Sequence, residues 1–233
     1  MPDKILKTVE YTRVNGNFVT SHERIVRETA LTINIDRRHF ATAMITATME
    51  KEFVIGHLFG QGVIDGVKDI ESINIKDNKA EVTLAVSKAK RTNTDEIRSD
   101  LKVSREDVLD SVRAILKSEV FTETEAVHSA GLFHKGRETI CIAEDLGRHN
   151  ALDKVIGGGL LKNVDFSTTL AASTGRQPLE MITKCLRANI PIIATKGVPT
   201  SLAINIARKS GITIAGMVRG DTMIIYSNPD RIE

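Results

Sequence analysis

The sequence has no tryptophan, only 4% aromatic residues and only two cysteines among 233 residues. With so few aromatic rings, the chain offers little for the base-stacking platforms that bind single-stranded nucleic acid. A net charge of +2 is also too small to indicate nucleic acid as a bulk partner. The two cysteines, Cys141 and Cys185, supply neither a disulfide framework nor, by themselves, a zinc site. We therefore expect no metal bound directly by protein side chains.

Long apolar runs are missing too. No run approaches the length of a membrane span, and the N-terminal residues MPDKILKTVE lack the apolar segment of a signal peptide. We therefore expect a cytoplasmic protein without a membrane contact. The chain is 41% hydrophobic and 27% charged, which is ordinary for a globular protein with a buried core in one large domain or two small ones.

Residue patterns predict an alternation of strands and helices. The predicted strands are Thr8–Val14, Ala30–Asp36, Ile70–Ile75, Ala80–Val86, Ala126–Phe133, Glu138–Ala143, Thr169–Ser173, Ile192–Thr195, Ile212–Val218 and Met223–Tyr226. The predicted helices are Met49–Phe59, Arg105–Lys117, Ala151–Ile156, one starting at Pro178, and Thr200–Lys209, and the predicted surface loop is Ser87–Leu101. This order predicts an α/β fold with a mixed, mostly parallel sheet, helices that cover it, and antiparallel edges formed by hairpins. We expect a smaller N-terminal α+β part, residues 1–103, and an α/β domain, residues 104–233.

Charged and imidazole side chains are concentrated in Glu144–Gly159, EDLGRHNALDKVIGGG, between a predicted strand and a short helix. Asn150 is the predicted N-cap, and Gly157–Gly159 are predicted to end the helix. Arg148 and His149 then lie beside a helix N-terminus, where free N–H groups and the helix dipole favour anions. The alternative is a strand-to-helix turn whose charges pair with one another.

Two further strand-end loops carry basic residues. In Thr174–Gln177 (TGRQ), Gly175 allows close backbone approach and Arg176 can donate two parallel hydrogen bonds to a phosphate or carboxylate. Lys196–Thr200 (KGVPT) repeats this pattern with Lys196. Ligands of such sheets bind outside the carboxyl ends of the strands, so we expect these loops to share one site.

Arg219, which precedes the turn Gly220–Thr222, adds another guanidinium near a strand end. Basic residues on successive strand-end loops predict a polyanionic ligand such as a nucleotide or a pyrophosphate. For Arg176 the alternative is an ion pair with Glu180, one helical turn further on. For Lys196 the alternative is plain solvation.

Four other reactive side chains, His57, His128, Cys141 and Cys185, fall in apolar segments. A packing role is the favoured interpretation for each, with a strand-end site role as the alternative for His128. No H-x-E with P-C-x-x-C is present, so zinc-dependent deamination is unsupported.

Several segments resemble the formate dehydrogenase accessory protein family (FdhD/NarQ). They are EDLGRHNALDKVIG, STGRQPLEMITKC, IPIIATKGVPTSLAINIARKSGITIAGMVRG and IIYSNPDRI. The N-terminal segments ETALTINID and MITATMEKEFVIGHLFGQGVI resemble the family more loosely, with Ala47 and Gln61 in place of a usual proline and glutamate.

The resemblance implies a three-layer α/β/α architecture similar to the cytidine-deaminase-like fold. It implies a homodimer that matures molybdenum- or tungsten-dependent formate dehydrogenases, with the apoenzyme and a cysteine desulfurase as partners. The implied ligand is molybdopterin guanine dinucleotide, for which GDP is a mimic, and the family's cofactor-contact segment falls on Met217–Thr222. With the strand-end loops, the predicted cofactor-binding residues are Met217, Val218, Arg219, Gly220, Asp221, Thr222, Arg148, His149, Thr174, Gly175, Arg176 and Lys196.

The chain departs from the family at its sulfur-relay loop. The family's Cys-Gly-x-Cys-Gly motif corresponds to about Lys90–Ser99, which contains no cysteine. Glu125 and Ala126 also replace two glycines of the family pattern before His128. Because a persulfide relay requires a thiolate nucleophile, we assign no catalytic residue, and whether the chain is an enzyme stays open.

Three hypotheses follow from these observations. The leading one is an accessory protein that binds the guanine dinucleotide cofactor. The second is a sulfurtransferase that uses Cys141 or Cys185. The third is a chaperone that docks apo-formate dehydrogenase without a cofactor.

Overall fold

The computed structural model describes residues 2–85 and 95–233. The strands are β1 (Leu6–Asn15), β2 (Asn17–Val26), β3 (Thr29–Ile35), β4 (Arg38–Ile45), β5 (Ile70–Lys76), β6 (Lys79–Leu84), β7 (His128–His134), β8 (Glu138–Asp145), β9 (Thr169–Ser173), β10 (Ile192–Thr195), β11 (Thr213–Arg219) and β12 (Thr222–Ser227). The α-helices are α1 (Pro2–Ile5), α2 (Glu50–Gly60), α3 (Arg105–Ile115), α4 (Glu119–Thr124), α5 (Arg148–Leu161), α6 (Leu179–Ala188) and α7 (Ser201–Ser210). Single turns of 3₁₀ helix lie at Val67–Asp69, Phe166–Thr168 and Pro229–Arg231.

The largest sheet has six strands in the order β12-β11-β10-β9-β7-β8. Strands β9, β10 and β11 are parallel, while the β7–β8 hairpin and β12 form antiparallel edges. Alternate strand residues face opposite ways, so one face packs against α3 and the other against α5, α6 and α7. The predicted α/β class, mixed sheet and three layers are confirmed.

The N-terminal residues form a four-stranded sheet, β4-β3-β6-β5, and a separate two-stranded hairpin, β1–β2. Helix α2 lies between the four-stranded sheet and α5, so it is buried on more sides than an amphipathic surface helix. One hydrophobic cluster runs from Leu31 and Ile33 through α2 to the six-stranded sheet. The division into residues 1–103 and 104–233 stays a prediction.

Local signals placed most of these elements correctly. Ser104 caps α3 just before the predicted helix start at Arg105: Asp107 N donates to Ser104 Oγ and Ser104 N donates to Asp107 Oδ2, both at 3.1 Å. The predicted loop Ser87–Leu101 lies outside the described residues up to position 94, and residues 95–101 form neither helix nor strand.

The prediction for α5 was wrong at both ends. The helix begins at Arg148 after Gly147, so Asn150 lies in the first turn and does not cap it. The helix also continues through Gly157–Gly159 and ends after Leu161.

The glycines of α5 serve helix packing. A Cβ added at Gly157 would lie 1.9 Å from the backbone oxygen of Glu52 on α2. A Cβ added at Gly56 on α2 would lie 1.9 Å from the backbone oxygen of Asp153 on α5. The two helices cross with their backbones in contact, and this contact requires glycine on each side.

Candidate functional site

Four strands end at one edge of the six-stranded sheet. Strands β8, β9, β10 and β11 point the same way, so the segments that follow Asp145, Ser173, Thr195 and Arg219 lie at that edge. Strand β7 runs in the opposite direction and starts there with His128, which pairs with Asp145. The predicted convergence of the strand-end loops is therefore present in the fold.

The loop after β9 is tied to β7 and to α5. Thr174 Oγ1 accepts a hydrogen bond from Ser129 N at 3.1 Å and lies 3.3 Å from His128 Nδ1. A Cβ added at Gly175 would lie 2.8 Å from Cβ of Arg148, so the missing side chain leaves room for the Arg148 stem. Thr174, Gly175 and Arg148 are thus brought together as predicted.

The loop after β10 lies directly against the loop after β9. Gln177 N donates to Val198 O at 2.9 Å, and a Cβ added at Gly197 would lie 2.8 Å from Gly175 O. Gly197 O in turn accepts from Met217 N at 2.8 Å, which links this loop to β11. Three successive strand-end segments therefore form one continuous backbone surface.

Met217 has a left-handed backbone conformation, with φ of +52°, at an irregularity in the pairing of β11 with β12. A non-glycine residue is strained in this conformation, and such strain is concentrated at functional sites.

Positive charge dominates the electrostatics of this edge. Burial lowers the pKa of His128, and the charges of Arg148, His149 and Arg176 lower it further, against a smaller opposing effect of Asp145. Arg148, His149 and Arg176 therefore lie close enough to His128 to disfavour its charged form.

His149 responds to a second set of charges. Burial lowers its pKa most, followed by Arg148 and by Lys184 on α6, whereas Glu180 and Asp153 raise it. Its Nε2 lies 3.3 Å from Glu180 Oε2 without hydrogen-bond geometry.

Four buried polar side-chain atoms of the described chain have no hydrogen-bond partner, and all belong to this edge. They are Ser129 Oγ, Arg148 Nε, His149 Nε2 and Gln177 Oε1. A buried polar group without a partner costs free energy, so native proteins keep few of them. Their concentration here is the arrangement expected where a ligand or ordered water completes the bonding.

The other predicted residues are placed differently. The β11–β12 turn is held from α3: Arg113 donates to Gly220 O at 3.1 Å and to Asp221 Oδ1 at 3.0 Å, and Arg105 donates to Asp221 O. Within residues 2–85 and 95–233, no hydrogen bond or ion pair joins Arg219 to Arg148, His149 or Arg176, although β11 ends at the same sheet edge.

The alternatives considered for the two basic side chains have different outcomes among the described residues. Glu180 lies beside His149 instead of pairing with Arg176, whereas Lys196 is exposed and makes no ion pair, which agrees with plain solvation. Whether Val218, Thr222 and the remaining predicted residues contact a ligand stays a prediction.

Two buried ion pairs on α5 escaped the sequence analysis. Lys154 and Asp145 are fully buried and lie 2.7 Å apart, and Asp153 pairs with Lys184 and lies 3.2 Å from His57 Nδ1. The sequence did contain a signal for the first pair, because Lys154 lies between Leu152 and Val155 in an apolar segment. A lysine buried there needs a counter-ion, since an unpaired charge is too costly to bury.

Burial disfavours the reactive thiolate form of both cysteines. Cys185 is fully buried, which raises the pKa of its thiol to about 12, and burial also raises the pKa of Cys141 on β8. Packing, as predicted, accounts for both.

No helix among the described residues is long and apolar enough to cross a membrane. Within the same residues, no three His, Cys, Asp or Glu side chains gather closely enough to hold a metal ion.

Comparison with known proteins gives consistent matches along the chain. A model of the FdhD/NarQ family matches residues 26–99 and 85–233. The sulfur carrier protein FdhD of Sulfolobus acidocaldarius is 31% identical over 250 residues, covering 98% of this chain and 99% of the relative. Its namesake in Methanothermobacter thermautotrophicus is 32% identical over 247 residues, covering 98% and 99%.

A crystal structure described as that of a formate dehydrogenase accessory protein from Desulfotalea psychrophila superposes with a TM-score of 0.88. That protein is 28% identical, and the match covers 98% of this chain and 100% of the other. Agreement of sequence and fold over nearly the whole length leads to one conclusion. The chain belongs to the FdhD/NarQ family.

Proposed function

We propose that this protein is an accessory protein of formate dehydrogenase maturation that binds a molybdopterin guanine dinucleotide-type cofactor at the strand-end edge. The single observation that carries the proposal is that the unpaired buried polar atoms of the described residues all belong to this edge. The names of the relatives, sulfur carrier protein and formate dehydrogenase accessory protein, support the maturation role.

The residues present fit the cofactor's chemistry. Arg148 and Arg176 supply donors and positive charge for a diphosphate, and the imidazoles of His128 and His149, whose pKa values are lowered, add ring nitrogens that can donate hydrogen bonds. The side-chain amide of Gln177 holds the loop itself, because the residue is fully buried and its Nε2 donates to Gly175 O at 2.9 Å. The donors at this edge therefore suit the diphosphate of a pterin nucleotide.

The formate dehydrogenase apoenzyme is the proposed client, because an accessory protein named for that enzyme acts on it. A cysteine desulfurase as second partner and the homodimer are expectations that come from the family resemblance. The cytoplasmic location is an expectation from the lack of a membrane span and of a signal-peptide segment in the sequence.

GDP tests the proposal directly. We expect wild-type protein to bind GDP in isothermal titration calorimetry and Arg148→Ala to weaken binding roughly 10- to 100-fold, because a hydrogen bond to a charged group contributes about 1.5–3 kcal/mol. Arg13→Ala, which removes the same charge from the exposed β1–β2 hairpin, is the matched control and should bind as wild type does. Arg219→Ala tests the Met217–Thr222 segment separately. Absence of binding by the wild type, or equal binding by Arg148→Ala, would contradict the proposal.

Binding should also be coupled to protonation. The pKa values of His128 and His149 are lowered in the free protein, and a bound phosphate favours the imidazolium and raises them again. GDP binding near pH 7 should therefore take up protons, and affinity should rise as the pH falls from about 8 to about 6.

Calorimetry in buffers with different ionisation enthalpies measures this uptake. His149→Gln and His128→Gln are the informative variants, since protonation of GDP itself is common to all samples. The same uptake in wild type and in both variants would show that the histidines are not responsible.

The cysteines favour cofactor binding over sulfur transfer. A persulfide relay needs an accessible thiolate, and burial raises the thiol pKa of both Cys141 and Cys185. We expect neither residue to gain sulfur when the protein is incubated with a cysteine desulfurase and cysteine and then analysed by mass spectrometry. A mass increase of one sulfur atom on either cysteine would restore the sulfurtransferase hypothesis.

A further inference from the structure

One carboxylate fixes the backbone on both sides of Arg148 and His149. Asp145 Oδ1 accepts a hydrogen bond from Gly147 N at 3.0 Å and another from Asn150 Nδ2 at 2.8 Å. These two donors come immediately before and immediately after the pair of site residues. Asp145 has no solvent exposure, so water does not compete for these bonds.

A distant segment, residues 44–48 at the end of β4 and just after it, holds the same turn from the other side. Thr46 N donates to Asp145 Oδ2 at 3.1 Å, and Thr46 Oγ1 accepts from Leu146 N at 3.2 Å. Asn150 Nδ2 also donates to Met44 O at 2.8 Å. The turn after β8 is therefore held between the carboxylate of Asp145 and residues 44–48 of the N-terminal part. We call these contacts of Asp145, Thr46 and Asn150 the clamp.

Lys154 completes this clamp and neutralises its charge. Its Nζ lies 2.7 Å from Asp145 Oδ2 and donates to Thr46 O and Glu144 O, each at 2.9 Å. A bare carboxylate beneath an anion site would repel the ligand, whereas the ion pair has little net charge. The contribution of the clamp to the site is therefore geometric.

The side chains of Arg148 and His149 have few contacts of their own that would fix them. Among the described residues, Arg148 Nε has no hydrogen-bond partner, and His149 Nε2 has only the 3.3 Å ion-pair contact with Glu180 Oε2, without hydrogen-bond geometry. Their position is set by the backbone of the first turn of α5, which the clamp holds.

We propose that Thr46, Asp145 and Asn150 are positioning residues that hold the first turn of α5 so that Arg148 and His149 face the ligand. This inference rests on the proposed function and extends the site to the N-terminal part of the chain. Groups that orient ligand-binding side chains typically change affinity 10- to 100-fold when removed.

Two uncharged substitutions test geometry without changing charge. Thr46→Val removes the acceptor for Leu146 N but keeps the backbone groups, and Thr46 is fully buried, so it cannot touch the ligand. Asn150→Ala removes both side-chain hydrogen bonds from a partly exposed position. Ser111→Ala is the control, because it removes a buried hydroxyl bond, Oγ to Val108 O at 2.8 Å, on the opposite face of the sheet.

We expect Thr46→Val and Asn150→Ala to weaken GDP binding by roughly 10-fold or more and Ser111→Ala to leave it unchanged. The decisive measurement is a double-mutant cycle with Arg148→Ala. If Asn150 acts through Arg148 and His149, adding Asn150→Ala to Arg148→Ala should cost much less affinity than it costs in the wild type.

Wild-type affinity in both variants, or fully additive losses in the cycle, would overturn the positioning role while leaving the proposed function intact. Failure of the wild type to bind GDP, or equal binding by Arg148→Ala, would overturn the proposed function and this inference with it.

Discussion

Gly157→Ala is expected to lower the free energy of unfolding by about 3 kcal/mol or more, because the new methyl group has no space between α2 and α5. Its Cβ would lie 1.9 Å from the backbone oxygen of Glu52, and a backbone atom cannot move aside as a side chain does. The helices would have to separate along a contact that is central to the core. For a chain of this size, the midpoint temperature should fall by roughly 6–12 °C.

The sign of this effect distinguishes packing from helix propensity. Alanine in a helix interior is favoured over glycine by about 1 kcal/mol, so Gly157→Ala would stabilise the protein if no contact opposed it. Gly158→Ala is the matched control, since the three atoms nearest its Cβ belong to side chains, with Cys141 Sγ at 3.0 Å and Glu52 Cγ at 3.9 Å. We expect Gly158→Ala to stay within about 1 kcal/mol of the wild type.

A second substitution at the same crossing gives an independent check. Gly56→Ala alone should be as damaging as Gly157→Ala, since its Cβ would lie 1.9 Å from Asp153 O. Once one methyl group has separated the helices, the second should cost less, so the double variant should be less destabilised than the sum of the two. Chemical denaturation measures the free energy of unfolding of the wild type, the two single variants and the double variant. A Gly157→Ala variant more stable than the wild type would contradict the close crossing of α2 and α5.

The end of α5 could not be predicted from the local sequence, because Gly157–Gly159 was expected to end a helix that continues through it. Locally, glycines after an apolar helical segment are a stop signal. Whether they stop a helix or admit a second helix depends on Gly56, about a hundred residues earlier in the chain. No local pattern carries that information, so the prediction failed for a tertiary reason.

Most strands were predicted better because their signals are local. Alternating apolar residues in Thr8–Val14 and Ala30–Asp36 mark β1 and β3, although their hairpin partners β2 and β4 were not predicted. The convergence of Arg148 and Gly175 also followed from topology alone, since parallel strands end at one edge.

The partners of individual charges were not predictable in the same way. Glu180 was the alternative partner considered for Arg176, one turn away, but it faces His149 across the contact between α5 and α6. Lys154 and Asp145 also meet through the fold of the strand–turn–helix unit and not through helical spacing. Side-chain pairing depends on how elements pack, and residue patterns alone do not determine that packing.

Lys154→Met is expected to lower the free energy of unfolding by about 3–5 kcal/mol, because it leaves Asp145 as a buried charge without a counter-ion. Methionine keeps most of the lysine stem, so packing changes little. Lys4→Met is the matched control: Lys4 Nζ also lies 2.7 Å from a carboxylate oxygen, that of Glu50, but the lysine side chain is 63% exposed. The control should cost no more than about 1 kcal/mol.

The double variant Asp145→Asn/Lys154→Met removes both charges and keeps an amide oxygen that can accept from Gly147 N. We expect it to be more stable than Lys154→Met alone, because no unpaired charge stays buried. A double variant less stable than the single one would mean that Asp145 acts mainly as a hydrogen-bond acceptor and not as a counter-ion.

The pH dependence of Asp145→Asn separates charge burial from lost packing. Burial lowers the pKa of Lys154, and in the wild type Asp145 opposes that shift. Without Asp145 the folded-state pKa falls further below the unfolded value of about 10.4, so the unfolded state binds more protons over a wider range. The stability of Asp145→Asn should therefore rise with pH up to about 10, more steeply than that of the wild type. Denaturation at several pH values measures this slope, and adding Lys154→Met should abolish the excess, because only a buried lysine without its counter-ion produces it.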